Sequence, residues 1–518
     1  MTGSRHAARI AALMVVAAAL LASLASHAEV MFNDGLRYIG QAQRIDQGAW
    51  KDGLLKAVDH PMYPLGIATA HRLIGGETPQ SWERSGQLAS AFAAVLWIIP
   101  FYLIAVELYG GASAWLAALL ALVVPLTGHV FGDVLSESTF LLFWTWGVWT
   151  ALKFLGQGRF VWLPATIGFA ALAYLSRPEG LLLPVALVTT LGAVPLLRST
   201  RMNWPRWWRA VAFLVIGPAL ILTPYIAIKG GLGTKPAIAR LLGTAPKSGA
   251  KAVERQRPLV EGQSTATTYL IAVREVSTAI KDGVTLPLLP FILAGLYFSW
   301  PPGERSRAWM FIVFILLLGF LALVRLHATG GYCTPRHAMI IVYPLIALAA
   351  HGLHGLVGKI TLPGRWFGLD EGRYEIGPAL WGVLLVGLGL FYAPETLAPI
   401  NQANAGYRSA GEYLAKQVQG DERTVDLTGL SLFYASKPGY TFEDLHAAPG
   451  DTRLRWVVVR EAHLRGDWPY CERIRELVGD RAPQATFPDN PKKGQAKVFV
   501  FEIEMPAAAM ARKDRTSR

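Results

Sequence analysis

Ile10–Tyr38 reads IAALMVVAAALLASLASHAEVMFNDGLRY. It joins an apolar run, Ile10–Ala25, to a short polar segment containing Asn33-Asp34-Gly35. Arg5 and Arg9 precede the run, and Ser26-His27-Ala28 resembles a small-x-small cleavage site. The segment therefore reads either as a secretory signal or as an uncleaved first membrane helix. Both readings place Glu29 onward outside the cytoplasm. Further along, the apolar run recurs at Ser85–Leu108, Ser113–Val130, Ser136–Phe154, Val161–Ser176, Leu181–Leu197, Ala210–Ile228, Val284–Trp300, Trp309–Leu326, Ala338–Val357 and Pro378–Tyr392. A span needs about 20 mostly apolar residues, so the chain reads as an all-α polytopic membrane protein with about eleven transmembrane helices.

Composition agrees. Of 518 residues, 53% are hydrophobic and only 16% charged, against about 25% charged in soluble domains. The net charge of +13 is spread between apolar segments. That pattern suits cytoplasmic loops and anionic headgroups of the bilayer, and not a nucleic-acid partner. Short loops with Lys153 and Arg159, with Arg198 to Arg209, with Arg305 and Arg307, and with Lys359 to Arg373 alternate with loops of fewer cations. The bias predicts a multi-pass inner (plasma) membrane protein with its N-terminus cytoplasmic and its C-terminal part extracytoplasmic. Cys333 and Cys471 are too few for a disulfide framework or zinc site. Whether they pair stays open at this level.

Three segments on the outer side are long: 29–84, 229–283 and the tail from about Ala393. The second is rich in lysine and arginine, which suits either a solvated loop or contact with anionic headgroups. The domain division expected is a membrane domain over 1–394, a small α/β domain over 395–506 and a disordered end over 507–518. Within the tail, Tyr407–Val418 and Cys471–Val478 have helical periodicity, and Thr424–Leu430, Trp456–Val459 and Val498–Ile503 read as strands.

Four outer segments carry candidate chemistry. Asp34 precedes an amphipathic stretch, Tyr38, Ala42 and Ile45, suited to an interfacial helix; taken alone it reads as a helix cap. His60 lies in Asp59-His60-Pro61-Met62-Tyr63-Pro64, a rigid turn in which a surface histidine is the plain reading. Asp133 and Glu137 flank the start of an apolar helix, where ionisable residues suggest function but also suit a helix N-terminus. Arg177 stands in Ser176-Arg177-Pro178-Glu179, and Arg336 in Thr334-Pro335-Arg336-His337, where a guanidinium either holds phosphate or anchors at the interface. On the derived topology all four face one side, as a reaction needs if one group takes a proton and cations stabilise a phosphate leaving group.

These residues, in this order, resemble the GT-C class of membrane glycosyltransferases, in particular relatives of protein O-mannosyltransferases and of the lipid A aminoarabinose transferase. Asp34, Tyr38 and Ala42 match the spacing of the first outer loop, and His60-Pro61-Met62-Tyr63-Pro64 is similar to a Pro-Pro-Leu-Tyr element. Ser136-Glu137 resembles the acidic second loop, and Tyr332 to Pro344 a late Arg-Tyr-x-x-Pro-type segment. The chain departs from the pattern at Gly35, where relatives often carry a second carboxylate, and at His60. The resemblance spans about Ile10 to Val357. It implies inverting transfer of a sugar from a polyprenyl-phosphate donor to an envelope acceptor, with Asp34 as general base. Asp133, Glu137 and His60 would position the acceptor or a divalent metal, and Arg336 and Arg177 would hold the donor phosphate. Two other classes compete. A transporter or flippase needs charged or broken helices at mid-membrane. A non-catalytic scaffold predicts no convergence of Asp34, Glu137 and Arg336.

Overall fold

The computed structural model describes residues 3–196, 204–231, 238–239, 241, 264–299, 305–358, 360–363, 373–375, 377–492 and 494–503. Several cations of the short loops, most of the basic 229–263 stretch and the end 504–518 lie outside them. The described part of each of the eleven apolar segments is mainly helical. The first part of the chain forms α1 (Gly3–His27), α2 (Asp34–Asp46), α3 (Trp50–Lys56), α4 (Met62–Ile74), α5 (Pro79–Tyr109), α6 (Gly111–Val123), α7 (Pro125–Phe131), α8 (Glu137–Gln157), α9 (Trp162–Tyr174), α10 (Leu182–Ala193) and α11 (Trp204–Ile228). Helices Thr265–Val284, Leu289–Ser299, Ser306–Gly330, Met339–Val357 and Gly377–Thr396 complete the bundle.

Local sequence sets the helix boundaries. Thr78 caps α5 by accepting the Ser81 N–H, with Pro79 in the first turn. Gly110, at φ +87°, ends α5 where a β-carbon would be strained. Among the described residues, five helices are long and apolar enough to cross a membrane, or up to seven if each of two bent pairs is one span. Trp162–Tyr174, Pro178–Ala193 and Leu380–Thr396 are shorter apolar helices.

Two segments differ from the linear reading. Ser113–Val130 is not one straight span: α6 and α7 meet at 65°, because Pro125 lacks the N–H that would continue the ladder. The 229–283 segment is not a loop throughout. Its last part is the helix Thr265–Val284, bent by 83° from the apolar helix that follows. Arg274, Glu275, Lys281 and Asp282 on that helix hide it from a hydropathy reading.

The main apolar core runs through the bundle, with Trp97, Phe131, Tyr343 and Leu183 buried in it. The tail forms a five-stranded sheet in the order β4-β3-β5-β7-β6. Here β3 is Arg423–Asp426, β4 Gly439–Tyr440, β5 Leu454–Arg460, β6 Ala485–Phe487 and β7 Val498–Glu502; the short pair β1 (Thr361–Pro363) and β2 (Arg373–Glu375) stands apart. β5 lies parallel to β3 and antiparallel to β7. It is buried on both faces, and its period-two alternation divides its side chains between two cores. Val457 and Val459 pack with Ile474 and Val478. Trp456 and Val458 share a core with Tyr407, and also with Tyr38 of α2, Tyr63 of α4 and Val134 before α8. The sheet is thereby seated on the segments that carry the candidate residues.

Candidate active site

Asp34 is the first residue of α2, with Asn33 at the cap position. Its carboxylate does not cap the helix. It accepts a hydrogen bond from Arg336 (Oδ2–Nη2, 2.7 Å) and pairs with Arg37 one turn along (3.2 Å). Arg37 Nε in turn donates to Asp59 Oδ2 at 2.9 Å. Arg336 is delivered by the turn Pro335–Ala338, in which Thr334 and His337 form a reciprocal cap. The guanidinium lies 4.5 Å from the centre of the Phe32 ring, a cation–π contact that steadies it.

Glu137 opens α8. Its Oε1 lies 2.8 Å from Arg177 and 3.9 Å from Arg336. Arg177 also bonds Glu179 at 2.8 Å. The Arg177 turn is tight: a β-carbon on Gly180 would lie 2.2 Å from the Tyr174 nitrogen, so only glycine fits. The Tyr38 hydroxyl and Ser136 Oγ, 3.0 Å apart, tie α2 to the start of α8.

The fold thus gathers Asp34, Glu137, Arg177 and Arg336 from four distant segments. Side-chain exposure rises from 2% at Glu137 to 15% at Arg177, 18% at Arg336 and 21% at Asp34. Burial works against the Asp34 charge, but Arg336 and Arg37 outweigh it and hold the carboxyl below its ordinary value. It stays ionised at neutral pH.

Asp133 and His60 stand apart from these ion pairs. Asp133 accepts the backbone N–H groups of Phe32 and Val134 and the amide of Asn401. It clasps the chain leading into Asp34 and joins it to the tail. Burial nonetheless raises its carboxyl to about 6 despite those three donors. His60 is not on the surface, as expected of an exposed turn, but buried. Its ring packs edgewise on Tyr174 at 4.8 Å, and Nδ1 lies 3.4 Å from the Tyr225 hydroxyl. Two neighbours were not singled out from sequence: Arg37 and Asp59, which extend the network. The (i, i+3) spacing of Arg37 from Asp34 was the readable signal.

Among the described residues no group of three or more His, Cys, Asp or Glu is placed to hold a metal ion. Asp34 and Glu137 each face guanidinium groups instead, so the donor set does not suit a divalent cation. Cys333 and Cys471 are both free thiols.

Residues 59–222 match the family of dolichyl-phosphate-mannose-protein mannosyltransferases. No curated protein sequence matches the chain. Among solved structures, it is similar to ArnT from Cupriavidus metallidurans bound to undecaprenyl phosphate (TM-score 0.57, 13% identity, 98% of this chain and 99% of that one). It is also similar to the oligosaccharyltransferase AglB from Archaeoglobus fulgidus in complex with an inhibitory peptide and a dolichol-phosphate (TM-score 0.55, 13% identity, 89% and 72%). With its apolar helix bundle, its cluster of acids and arginines and its small α/β tail, the chain has the fold of the GT-C membrane glycosyltransferases.

Proposed function

We propose that this protein transfers a sugar from a polyprenyl-phosphate donor to an envelope acceptor at the outer face of the plasma membrane, with inversion. The single observation that carries the reading is the 2.7 Å contact between Asp34 and Arg336, both partly exposed, beside the buried Glu137. It sets a proton acceptor beside a phosphate-binding group. The similar structures, which hold undecaprenyl phosphate and dolichol-phosphate, support a lipid-phosphate ligand for the fold.

In this reading the acceptor hydroxyl meets Asp34 Oδ2, which takes its proton as the oxygen attacks the anomeric carbon. The bond from that carbon to the phosphate oxygen breaks on the opposite face. Its electron pair leaves with the polyprenyl phosphate, whose growing charge is held by Arg336. Arg177 supports that charge through the shared Glu137.

The resting cluster has four carboxylates, Asp34, Asp59, Glu137 and Glu179, against three guanidiniums, Arg37, Arg177 and Arg336. It holds no spare cation. In this reading the donor phosphate takes Arg336 from Asp34. Losing that partner raises the proton affinity of Asp34, so donor binding makes it a stronger base. The first outer loop and the turn at 335–338 then act as one unit.

The test is transfer from a polyprenyl-phosphate sugar by the purified protein in detergent. Asp34→Asn keeps the shape and removes the base, and turnover should fall by about 10²–10⁴. Transfer undiminished in that variant would remove Asp34 from the mechanism.

A further inference from the structure

A groove of about 710 Å³ lies between α1 and α5 and is lined by none of the residues of the acid–arginine cluster. Ala22 and Ala25 of α1 form one wall; Leu88 and Phe92 of α5 form the other. The alanines leave width that larger side chains would fill. Phe92 is 64% exposed and Leu88 43%, so in a bilayer this wall needs an apolar cover. The outer mouth is polar, with Glu83, Arg84 and Arg408. Arg408 belongs to the tail domain and is committed to Glu83 at 2.5 Å. Arg84, exposed, carries no hydrogen bond or ion pair among the described residues. The mouth therefore holds one positive charge in excess, above an apolar slot.

Shape and charge together select the occupant. The groove's volume lies within the usual range for small-molecule sites, about 300–1,000 Å³. An acyl chain fits the slot, and a phosphate headgroup answers Arg84 and Arg408. The groove is also walled off from Asp34. Val30, Met31 and Val134 are fully buried. Val134 packs between Gly86 of α5 and Gly35 of α2, where added β-carbons would lie 2.5 Å and 3.0 Å from it. A lipid seated here does not reach the reacting groups.

We infer that this groove is a site for a resident anionic phospholipid, which joins α1, α5 and the tail domain at the outer leaflet. The inference is independent of the sugar-transfer reading.

The test is native mass spectrometry of the full chain taken from phosphatidylglycerol-containing membranes, together with thermal melting in nanodiscs of phosphatidylcholine with or without phosphatidylglycerol. Wild type should retain about one phosphatidylglycerol and melt higher when that lipid is present. Arg84→Gln should retain about fivefold less, the worth of one cation at the membrane surface. Ala22→Trp should fill the slot and abolish both effects, whereas Ala22→Gly, which keeps it open, should behave as wild type. Equal retention by Ala22→Trp, equal retention of phosphatidylcholine, or preference for undecaprenyl phosphate over phosphatidylglycerol would each overturn the inference.

Discussion

Glu137→Gln tests the cluster most directly. The side chain is 2% exposed and keeps its shape on substitution, so packing is conserved while one charge is lost. With an effective dielectric of about 20, its attraction to Arg177 at 2.8 Å is about 6 kcal/mol and to Arg336 at 3.9 Å about 4 kcal/mol. Much of that gross figure only offsets the cost of burying the three charges. Breaking a buried pair by removing one partner typically costs about 3–5 kcal/mol. Arg177 keeps Glu179 and Arg336 keeps Asp34. The expected loss therefore lies at the low end, about 3 kcal/mol. The assay is reversible unfolding in mixed micelles, followed by tryptophan fluorescence. A second arm adds Arg177→Met, which removes the facing guanidinium. The double variant should be more stable than the summed singles predict by about 1–3 kcal/mol. A Glu137→Gln protein within about 0.5 kcal/mol of wild type, or a strictly additive double variant, would refute a cluster held by charge.

Other outcomes follow from the same geometry. Asp133, raised to about 6, stabilises the fold fully below the ordinary carboxylate value, and that contribution is lost as pH rises through about 6. Wild type should therefore lose stability between about pH 4 and 6 relative to Asp133→Asn, as measured by melting midpoints across pH. Asp34 has the opposite sign. Its lowered value stabilises the fold above about pH 4 and is lost only in stronger acid, so Asp34→Asn should leave the slope between pH 5 and 8 unchanged. Phe501→Ala empties a site 3% exposed in the tail core and should cost about 3–5 kcal/mol by denaturant titration. Cys333, partly exposed, should react with a maleimide in the folded protein before Cys471, which is buried; mass spectrometry of the labelled chain checks the order.

The apolar runs made the bundle legible because a membrane demands uninterrupted hydrophobic length. The bends were not legible in the same way. Pro125 was visible within an apolar run, yet proline inside a span does not by itself break it, and Pro100 sits within α5. The helix Thr265–Val284 was missed because four charged residues interrupt its apolar face. At the site, sidedness carried most of the information. Once loops alternate across a membrane, Asp34, Glu137, Arg177 and Arg336 fall on one surface whatever the helix packing. Which of them touch could not be read. Asp133 is only four residues from Glu137, yet it faces backbone N–H groups while Glu137 faces two arginines. Glu137 is fixed by the helix it opens, and Asp133 by the irregular loop before it. His60 illustrates a related limit: its burial depends on Tyr174 and Tyr225, more than a hundred positions away.

Asp34 and Arg336 are 302 positions apart, and that separation has a consequence for biogenesis. Helices enter the membrane in order as the chain is made. By the time the Arg177 turn has been inserted, Asp34 already has Arg37, and Glu137 already has Arg177. Those early partners satisfy the two acids locally, though the half-built centre then holds two more carboxylates than guanidiniums. Arg336 arrives only with one of the last helices and is the piece that completes it. A chain interrupted before that helix can be well inserted and still lack a working centre. Supplying the missing C-terminal helices as a separate fragment is then a way to ask whether the enzyme can be completed after synthesis.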